Sequence, residues 1–193
     1  MNKSTLRRHL KALRSDIKPD ARSKAALRAL RLALRHGLFL RPRRIGFYLP
    51  HGAEFDVRPL LNQALWMKRV CCLPVISGRD RVLRFARLNG QNKMTANRYG
   101  ILEPSDSHPF RAQQLDILFM PLLGFDCQGH RLGMGGGYYD ATLAYLARRR
   151  IWKKPLLIGV GYECQRVDTL PHDPWDAPLD AVLTERGFHA FKR

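Results

Sequence analysis

Apolar and basic residues alternate at helical spacing in the first forty positions. In segment 3–17 one apolar stripe recurs every three or four positions and consists of Leu6, Leu10, Leu13 and Ile17. This spacing predicts a helix. A break at Pro19-Asp20 separates it from a second predicted helix over 21–36, with Asp20 as its N-cap. The second helix is expected to bury Leu27, Leu30 and Leu34.

Beyond Gly37 the pattern changes to short apolar runs divided by polar and glycine-containing segments. Runs of this length are typical of buried strands. Strands are predicted at 45–49, 70–76, 115–120, 155–160 and 181–184, with an edge strand at 82–88 and helices at 56–67 and 139–148.

Strands that alternate with helices predict an α/β fold. We expect a three-layer, Rossmann-like domain with a mostly parallel sheet and an N-terminal helical pair. In such sheets ligands bind beyond the carboxyl ends of the strands. The loops after Leu49, Met120 and Val160 are therefore expected to carry the chemistry.

Size and composition suit one compact unit. The chain has 193 residues, 45% of them apolar, so a sizeable core and a single domain over 1–193 are expected. No apolar run is long enough to span a bilayer, and no segment has the pattern of a secretory signal, so a cytoplasmic protein without a membrane partner is expected. The four cysteines include no CxxC pair, which predicts reduced thiols rather than a zinc or redox site.

The net charge of +18 favours polyanionic partners, among them nucleic acids, nucleotides and polyglutamate tails. Most of the excess precedes Glu54, and an Arg-rich, acid-poor start is also typical of transit peptides. A non-specific nucleic-acid-binding basic protein is therefore the alternative reading. Residues 1–44 contain Phe39 as their single aromatic, too few for base stacking, and no specific nucleic-acid partner is expected.

A dense glycine segment lies between the strand predicted at 115–120 and the helix predicted at 139–148. It reads Gly129-His130-Arg131-Leu132-Gly133-Met134-Gly135-Gly136-Gly137-Tyr138-Tyr139-Asp140. Glycine backbone N–H groups can approach an anion closely, and the helix start adds positive potential. Arg131 adds charged donors. The segment is neither a Walker A loop nor a dinucleotide fingerprint, yet it is predicted to bind phosphate.

Read from Phe125 to Asp140, this segment closely resembles the signature of the 5-formyltetrahydrofolate cyclo-ligase family, also called methenyltetrahydrofolate synthetases. Further matches follow in order along nearly the whole chain: Lys3-x-x-x-Arg7, Tyr48-Leu49-Pro50, Glu54-Phe55-Asp56, Gly100-Ile101-Leu102-Glu103-Pro104, Gly161-Tyr162-Glu163-Cys164-Gln165, Leu170-Pro171, Trp175-Asp176 and Thr184-Glu185. A sugar-phosphate isomerase or CoA transferase of similar build would rest on fold analogy alone, and the run 133–140 argues against it.

The resemblance implies an ATP-dependent ligase that forms a C–N bond. Such an enzyme cyclises 5-formyltetrahydrofolate to 5,10-methenyltetrahydrofolate by phosphorylating the formyl oxygen, and it releases ADP and phosphate. Mg²⁺ is the implied cofactor and ATP the co-substrate. The folate is expected with or without a polyglutamate tail, and the protein is expected to be a monomer.

The resemblance also implies roles for particular residues. ATP is expected to contact Lys3, Arg7, Arg131, Leu132, Gly133, Met134, Gly135, Gly136, Gly137, Tyr138 and Tyr139. Folate is expected to contact Leu49, Glu54, Met134, Gly135, Gly136, Gly137 and Tyr138. Arg131 and Tyr138 are the expected catalytic positions, and Asp140 and Asp176 the expected metal ligands.

Several acidic residues have a second possible role. Asp140 equally suits an acid at a helix N-terminus, where the dipole favours it, and Asp176 equally suits a loop acid. Asp173 and Asp180 compete for the second metal position. Asp56 is read as a helix N-cap rather than a ligand.

Other positions are read mainly as structural. Leu49 suits the core as well as the substrate pocket. Trp152 and Tyr139 are candidate neighbours of the adenine or pterin ring, with core packing as the favoured role. Lys11 and Arg14 are read as part of the solvated basic face of the first helix.

Overall fold

The computed structural model describes residues 2–76, 80–105, 109–148 and 155–191. The helices are α1 (Lys3–Ser15), α2 (Pro19–Arg35), α3 (Arg58–Trp66) and α4 (Tyr138–Leu143). The strands are β1 (Arg44–Gly46), β2 (Val70–Ile76), β3 (Leu83–Arg87), β4 (Met94–Ala96), β5 (Leu102–Pro104), β6 (Ile117–Pro121), β7 (Gly124–Phe125), β8 (Arg131–Leu132), β9 (Leu156–Val160), β10 (Ala181–Leu183) and β11 (Phe188–Ala190). Within these ranges no helix is both long and apolar enough to cross a membrane.

Seven of the described strands form one sheet in the order β11-β10-β9-β6-β1-β2-β3. The five inner strands run parallel, whereas β3 and β11 pair antiparallel at the two edges. The predicted mostly parallel α/β fold is confirmed. Because β6 lies between β1 and β9, the loops that follow these three strands meet at one edge of the sheet.

Both faces of the sheet are covered, which explains why its strands are continuous apolar runs. Along β6, Ile117 and Phe119 join the cluster that contains the buried residues of α2 and α3. Leu118 and Met120 point the other way and join the cluster that contains Leu143 of α4. The sheet is therefore the middle one of three layers.

Helix α2 packs on the sheet through alanines rather than leucines. Leu27 and Leu34 are 50% and 44% exposed, so the prediction that they face the core is wrong, while Leu30 is partly buried against it. The buried side chains of α2 are those of Ala25, Ala26, Ala29 and Ala33. Small side chains on this face allow the helix backbone to lie close to its neighbours.

The start of α2 also differs from the prediction. The helix begins at Pro19, so its N-cap is Lys18, and Asp20 lies inside the first turn. Proline suits this first position because its fixed φ is already helical. Asp20 pairs with Lys24 at 2.7 Å instead of capping the helix.

Helix α1 lies apart from the main core. Its Leu6 and Leu10 form a small cluster with Leu132 and Leu170. Lys11 is exposed as predicted, whereas Arg14 is only 4% exposed, so the prediction of a solvated Arg14 is wrong. The face of α1 that carries Arg14 is covered by the loop after β6, where the Leu122 carbonyl accepts a hydrogen bond from Arg14 at 3.4 Å.

The shortest elements were not predicted. The hairpins β4–β5 and β7–β8 have strands of two or three residues, too short for a periodic pattern. The strand at 181–184 was expected to be the last, but β11 follows it and pairs with β10. The helix predicted at 139–148 is α4, which ends at Leu143 and continues as a 3₁₀ turn over Ala144–Arg148.

Candidate functional site

A cavity of about 400 Å³ lies beside the carboxyl ends of β1 and β6. Most positions predicted for the site line it: Lys3, Arg7, Glu54, Arg131, Leu132, Gly133, Met134, Gly135, Gly136, Gly137, Tyr138, Tyr139, Asp140 and Asp176. Leu49 is not among the described lining residues and packs, partly buried, against the core. Trp152 lies outside the described residues.

The glycine loop follows the β7–β8 hairpin and runs directly into α4. Gly135 has φ +97° and Gly137 has φ +70°. These left-handed conformations are open to glycine without a Cβ penalty. Gly137 is the N-cap of α4, so the loop turns sharply and keeps its backbone at the cavity wall.

Helix α1 brings two cations to this cavity, one turn apart. The Arg7 guanidinium donates from Nε to the Gly133 carbonyl at 2.9 Å. The Nζ of Lys3 lies 2.5 Å from Asp173 Oδ2 and 3.1 Å from Asp176 Oδ2. The bond to Asp173, with further help from Asp176, raises the pKa of Lys3 despite partial burial.

Asp176 is held as an anion by its neighbours. Burial raises the pKa of its carboxyl, but the backbone N–H of Asp173 and the Lys3 ammonium outweigh burial and lower it overall. Asp173, which the sequence left as a competitor for the metal position, also lines the cavity. Asp180 is not among the described lining residues, and its carboxylate accepts a hydrogen bond from the Leu157 N–H at 2.7 Å.

The side chain of Arg131, a third cation of the cavity, is almost fully buried, with 5% of it exposed. Its Nη2 pairs with Asp140, and its guanidinium carbon lies 5.8 Å from the centre of the Tyr139 ring. Its Nε is buried and has no partner among the described residues. A buried, unpaired cationic N–H at a cavity wall fits an anionic ligand oxygen.

The acids of the cavity suit a Mg²⁺ ion that is bound mainly by phosphate oxygens better than a metal ion held by protein ligands alone. No group of three or more His, Cys, Asp or Glu that could hold a metal occurs in the described part of the chain. Asp140 and Asp176 nevertheless line one cavity together with cations suited to phosphate. Mg²⁺ is usually held by one or two carboxylates plus phosphate oxygens and water.

Glu54 reaches the cavity from the loop after β1. Its Oε2 accepts from the His51 N–H at 3.1 Å, and Tyr48 braces the same loop by donating to the Phe55 carbonyl at 2.9 Å. Burial raises the pKa of the Glu54 carboxyl, and the His51 N–H and Arg14 partly offset this effect. A mostly buried carboxylate at a strand end is suited to bind ring and amino N–H groups.

The turn of the β4–β5 hairpin forms part of the site, which was not predicted from the sequence. The Tyr99 hydroxyl lies 2.9 Å from the Tyr138 hydroxyl, and Arg98 also hydrogen-bonds Tyr138. The bond to Tyr99 and the charge of Arg98 lower the pKa of Tyr138. Ile101, from the same turn, lines the cavity. The resemblance had marked segment 100–104, but its residues alone gave no indication of this contact.

The fold and the cavity together define a class. This is a mostly parallel α/β protein whose carboxyl edge carries a glycine loop, buried cations and paired carboxylates, an arrangement suited to a phosphorylated ligand.

Comparison with known proteins makes the assignment specific. The model of the 5-formyltetrahydrofolate cyclo-ligase family matches residues 1–185. The 5-formyltetrahydrofolate cyclo-ligase of Haemophilus influenzae is 39% identical over 145 residues, covering 72% of this chain and 74% of the relative. That of Escherichia coli K12 is 39% identical over 149 residues, covering 72% and 76%.

A solved structure agrees. The 5,10-methenyltetrahydrofolate synthetase of Aquifex aeolicus superposes with a TM-score of 0.85 at 27% identity, covering 100% of this chain and 94% of that one. This chain belongs to the 5-formyltetrahydrofolate cyclo-ligase family, and the resemblance seen in the sequence is confirmed. Membership gives no support to the alternative of a nucleic-acid-binding protein.

Proposed function

We propose that this protein catalyses the ATP-dependent cyclisation of 5-formyltetrahydrofolate to 5,10-methenyltetrahydrofolate, with release of ADP and phosphate. One observation supports this above all. The cations of α1, the acid after β1 and the glycine loop, which are distant in sequence, line one cavity of about 400 Å³. Such a cavity can bring the reacting groups of two substrates together.

The phosphate side of the cavity is assigned to Lys3, Arg7, Arg131 and the glycine loop. Their charges and backbone N–H groups would orient the triphosphate, and phosphoryl transfer depends mainly on positioning and charge neutralisation. Asp140 and Asp176 would hold Mg²⁺, which when bound supplies positive charge at the phosphate oxygens. Arg131 and Lys3 would then exchange their carboxylate partners for phosphate oxygens.

The folate side is assigned to Glu54, with Tyr138 and the residues of the glycine loop beside it. Glu54 would accept hydrogen bonds from the amino and ring N–H groups of the pterin. Met134 is 55% exposed and could pack on the ligand as it enters. A contact of Leu49 with folate stays a prediction.

The proposed chemistry has two steps. First the formyl oxygen attacks the γ-phosphorus, so that an O–P bond forms while the bond to the β–γ bridging oxygen breaks and ADP leaves. Then the lone pair of the 10-nitrogen attacks the activated formyl carbon and forms the new N–C bond. The C–O bond to phosphate breaks, phosphate departs with the former formyl oxygen, and the 10-nitrogen loses its proton.

Four finer points stay predictions: a single domain over 1–193, a monomer, a cytoplasmic location and acceptance of polyglutamylated folate. The net charge of +18 supports the last of these, because a polyglutamate tail is a polyanion.

The path of the formyl oxygen tests the mechanism. With substrate carrying ¹⁸O in the formyl group, the account expects one ¹⁸O atom in each phosphate released, measured by mass spectrometry. Phosphate without ¹⁸O, formed at the same rate as methenyltetrahydrofolate, would show that the formyl oxygen is not phosphorylated.

A further inference from the structure

A buried carboxylate in the turn between β7 and β8 joins two segments of the site. The Asp126 side chain is 0% exposed and is not among the described lining residues of the substrate cavity. Its Oδ1 accepts hydrogen bonds from the backbone N–H groups of Gln128 and His130, both at 2.9 Å. Its Oδ2 lies 2.9 Å from Nδ1 of the His130 ring and accepts a hydrogen bond from the Leu170 N–H at 3.1 Å. One oxygen therefore holds the turn, and the other links it to a segment 44 residues further along the chain.

Asp126 is an anion in the folded protein. Burial raises the pKa of its carboxyl, but the bonds to the His130 ring and to the backbone N–H groups outweigh burial and lower the pKa overall. Because a carboxylate only accepts hydrogen bonds, Nδ1 of His130 carries the proton and donates it. Hydrogen bonds to an ionised acceptor are stronger than those between neutral groups, so Asp126 is a firm connection between the turn and the distant segment.

The distant segment runs from Val167 to Leu179 and carries Asp173 and Asp176; its name below is the acidic segment. It contains no helix or strand. The N–H groups at its two ends donate to carbonyls of β7 and of the β7–β8 turn, at 2.9 and 2.8 Å. Since the acidic segment has no regular hydrogen bonding of its own, its shape depends on contacts with the turn on which it starts and ends.

Two contacts hold the acidic segment close to its acids. One is the hydrogen bond from the Leu170 N–H to Asp126. The other is a stack of the His172 ring on the His130 ring, with centroids 3.8 Å apart and 11° between the planes. His130 is the residue whose Nδ1 Asp126 binds, so Asp126 also orients the ring on which His172 packs. Asp173 follows directly, and the stack therefore ends one residue before the first acid.

The ion pairs with Lys3 are a different kind of contact. Lys3 binds Asp173 and Asp176 in this structure, but under the proposed function its ammonium turns to a phosphate oxygen when the nucleotide binds. The contacts made through Asp126 do not depend on Lys3. They can therefore keep the acids in place while the ion pairs are exchanged.

We propose that Asp126 is a positioning residue for the metal and the nucleotide: with the His130 ring it holds the acidic segment against the β7–β8 turn, so that Asp176 stays beside the glycine loop. The inference rests on the proposed function, which assigns Mg²⁺ to Asp176. Asp126 acts through the acidic segment and touches neither substrate. Groups that orient a metal-binding carboxylate in this way affect metal affinity almost as strongly as the ligands themselves.

Binding of Mg²⁺–ATP, measured by titration calorimetry, tests the proposal. In Asp126→Asn one acceptor oxygen becomes an NH₂ group, which cannot accept a hydrogen bond from a backbone N–H. Mg²⁺–ATP should bind about 10- to 100-fold more weakly, the loss should shrink when EDTA removes the metal, and the affinity for 5-formyltetrahydrofolate should be unaltered. Equal losses for ATP with and without Mg²⁺, equal losses for ATP and folate, or no loss in the folded variant would each overturn the proposal.

Asp116→Asn is the matched control. Asp116 also accepts hydrogen bonds from two backbone N–H groups, those of Arg43 and Arg44 at 2.8 and 3.0 Å, but it lies at the amino end of β6, away from the cavity. This variant should keep the affinity for Mg²⁺–ATP. An equal loss in Asp116→Asn would assign the effect of Asp126→Asn to general destabilisation and would overturn the proposal.

Amide hydrogen exchange tests the anchoring without any ligand. In Asp126→Asn the Leu170 N–H should exchange faster than in the unaltered protein, and unchanged protection would overturn the proposal. If the unaltered protein binds Mg²⁺–ATP but forms no methenyltetrahydrofolate, the proposed function fails, and the two measurements on Asp126→Asn still decide the role of Asp126. If the unaltered protein does not bind Mg²⁺–ATP, both fail.

The two histidines supply a second test, for the case that Asp126→Asn does not fold. His130→Ala and His172→Ala each remove the stack and leave the bond between Asp126 and Leu170. Each should weaken Mg²⁺–ATP binding by about two- to tenfold, and the double variant should lose no more than His130→Ala alone, because both act through one contact. Normal affinity in the folded single variants, or losses that add, would overturn the proposal.

Discussion

At the scale of single residues, the cavity neutralises its own charges. Arg131 pairs with Asp140, and Lys3 bridges Asp173 and Asp176. Two of the proposed phosphate ligands, Arg131 and Lys3, are thus paired with acids, and both proposed metal ligands are paired with cations. The third cation, Arg7, donates to the Gly133 carbonyl instead. Binding of a metal–nucleotide complex would exchange these partners without leaving any buried charge unpaired, which keeps the cost of binding low.

Replacement of Arg131 is the sharpest residue-level test of the phosphate site. Arg131→Ala should lower turnover by about 10²- to 10³-fold, as expected when one donor to developing charge is lost, while the fold persists. Arg131→Lys should recover only part, because an ammonium lacks the planar fork. Steady-state kinetics with circular dichroism measures both. Turnover within a few-fold of normal in Arg131→Ala would remove Arg131 from the chemistry.

The Glu54 carboxylate is expected to lower the stability of the folded protein while it contributes to folate binding. Its pKa is raised in the folded state, so the native protein binds this proton more tightly than the unfolded chain. The ionised carboxylate therefore costs stability, increasingly as pH rises through the raised pKa and fully above it. Glu54→Gln should raise Tm at pH 7, with no difference at low pH, while the KM for folate increases about tenfold or more.

Thermal unfolding at several pH values, with Michaelis kinetics, checks both effects of Glu54→Gln. A fall in Tm at pH 7 would contradict the stability argument, and an unaltered KM would contradict the binding role.

The location of a residue was predictable from the sequence where a motif surrounds it. It was not predictable where tertiary packing decides whether the side chain is buried. Glu54 and the run 131–140 were found from the sequence, because their spacing is specific. Arg14 was read as solvated, since its helix shows the same basic pattern on every exposed face. Only the packing of α1 against the loop at Leu122 reveals that this one guanidinium is inside.

At the scale of elements, the glycine loop and α1 form one unit. Arg7 of α1 donates to the Gly133 carbonyl, and Leu6 and Leu10 pack on Leu132 just before the loop. The helix therefore positions the loop as well as carrying charge to it. This explains why α1 lies away from the sheet, on which α2, α3 and α4 pack.

A substitution in the loop tests whether its backbone shape matters. Gly135→Ala would force a Cβ onto φ +97°, at a cost of roughly 1–2 kcal/mol for the left-handed conformation, so the loop should change shape and ATP affinity should fall at least tenfold. Gly37→Ala is the matched control: φ is +64° there too, but Gly37 ends α2 away from the cavity.

Both variants should lose some stability because both place a Cβ at positive φ, and only Gly135→Ala should lose ATP affinity, measured by calorimetry. Equal ATP affinity in the two variants would show that the loop tolerates another backbone shape.

Long elements were predictable and short ones were not. Strands β2, β6 and β9 are five to seven residues long. Their apolar runs were long enough to predict the central strands of the sheet from the sequence. The two hairpins that shape the cavity have strands of two or three residues, so their pairing depends on tertiary contacts. The contact between Tyr99, in the β4–β5 turn, and Tyr138, at the start of α4, depends on such a hairpin.

At the scale of the whole molecule, charge and topology act together. The sheet order brings the loops after β1, β6 and β9 to one edge. The N-terminal helix α1 adds the cations Lys3 and Arg7 at the same edge. A net charge of +18 draws polyanions towards the molecule. Charge alone also fitted a nucleic-acid-binding protein, and the position of particular cations around one cavity distinguishes the two hypotheses.

The central claim is a reaction that needs three components, and one measurement addresses it directly. Purified protein is mixed with 5-formyltetrahydrofolate, ATP and Mg²⁺, and the absorbance of methenyltetrahydrofolate is followed, with one component omitted in each control and Arg131→Ala as the matched low-activity variant. The account predicts no product when any component is omitted, full activity in the complete mixture with unaltered protein, and a rate about 10²- to 10³-fold lower with Arg131→Ala. A folded protein that binds ATP and forms no methenyltetrahydrofolate would contradict it.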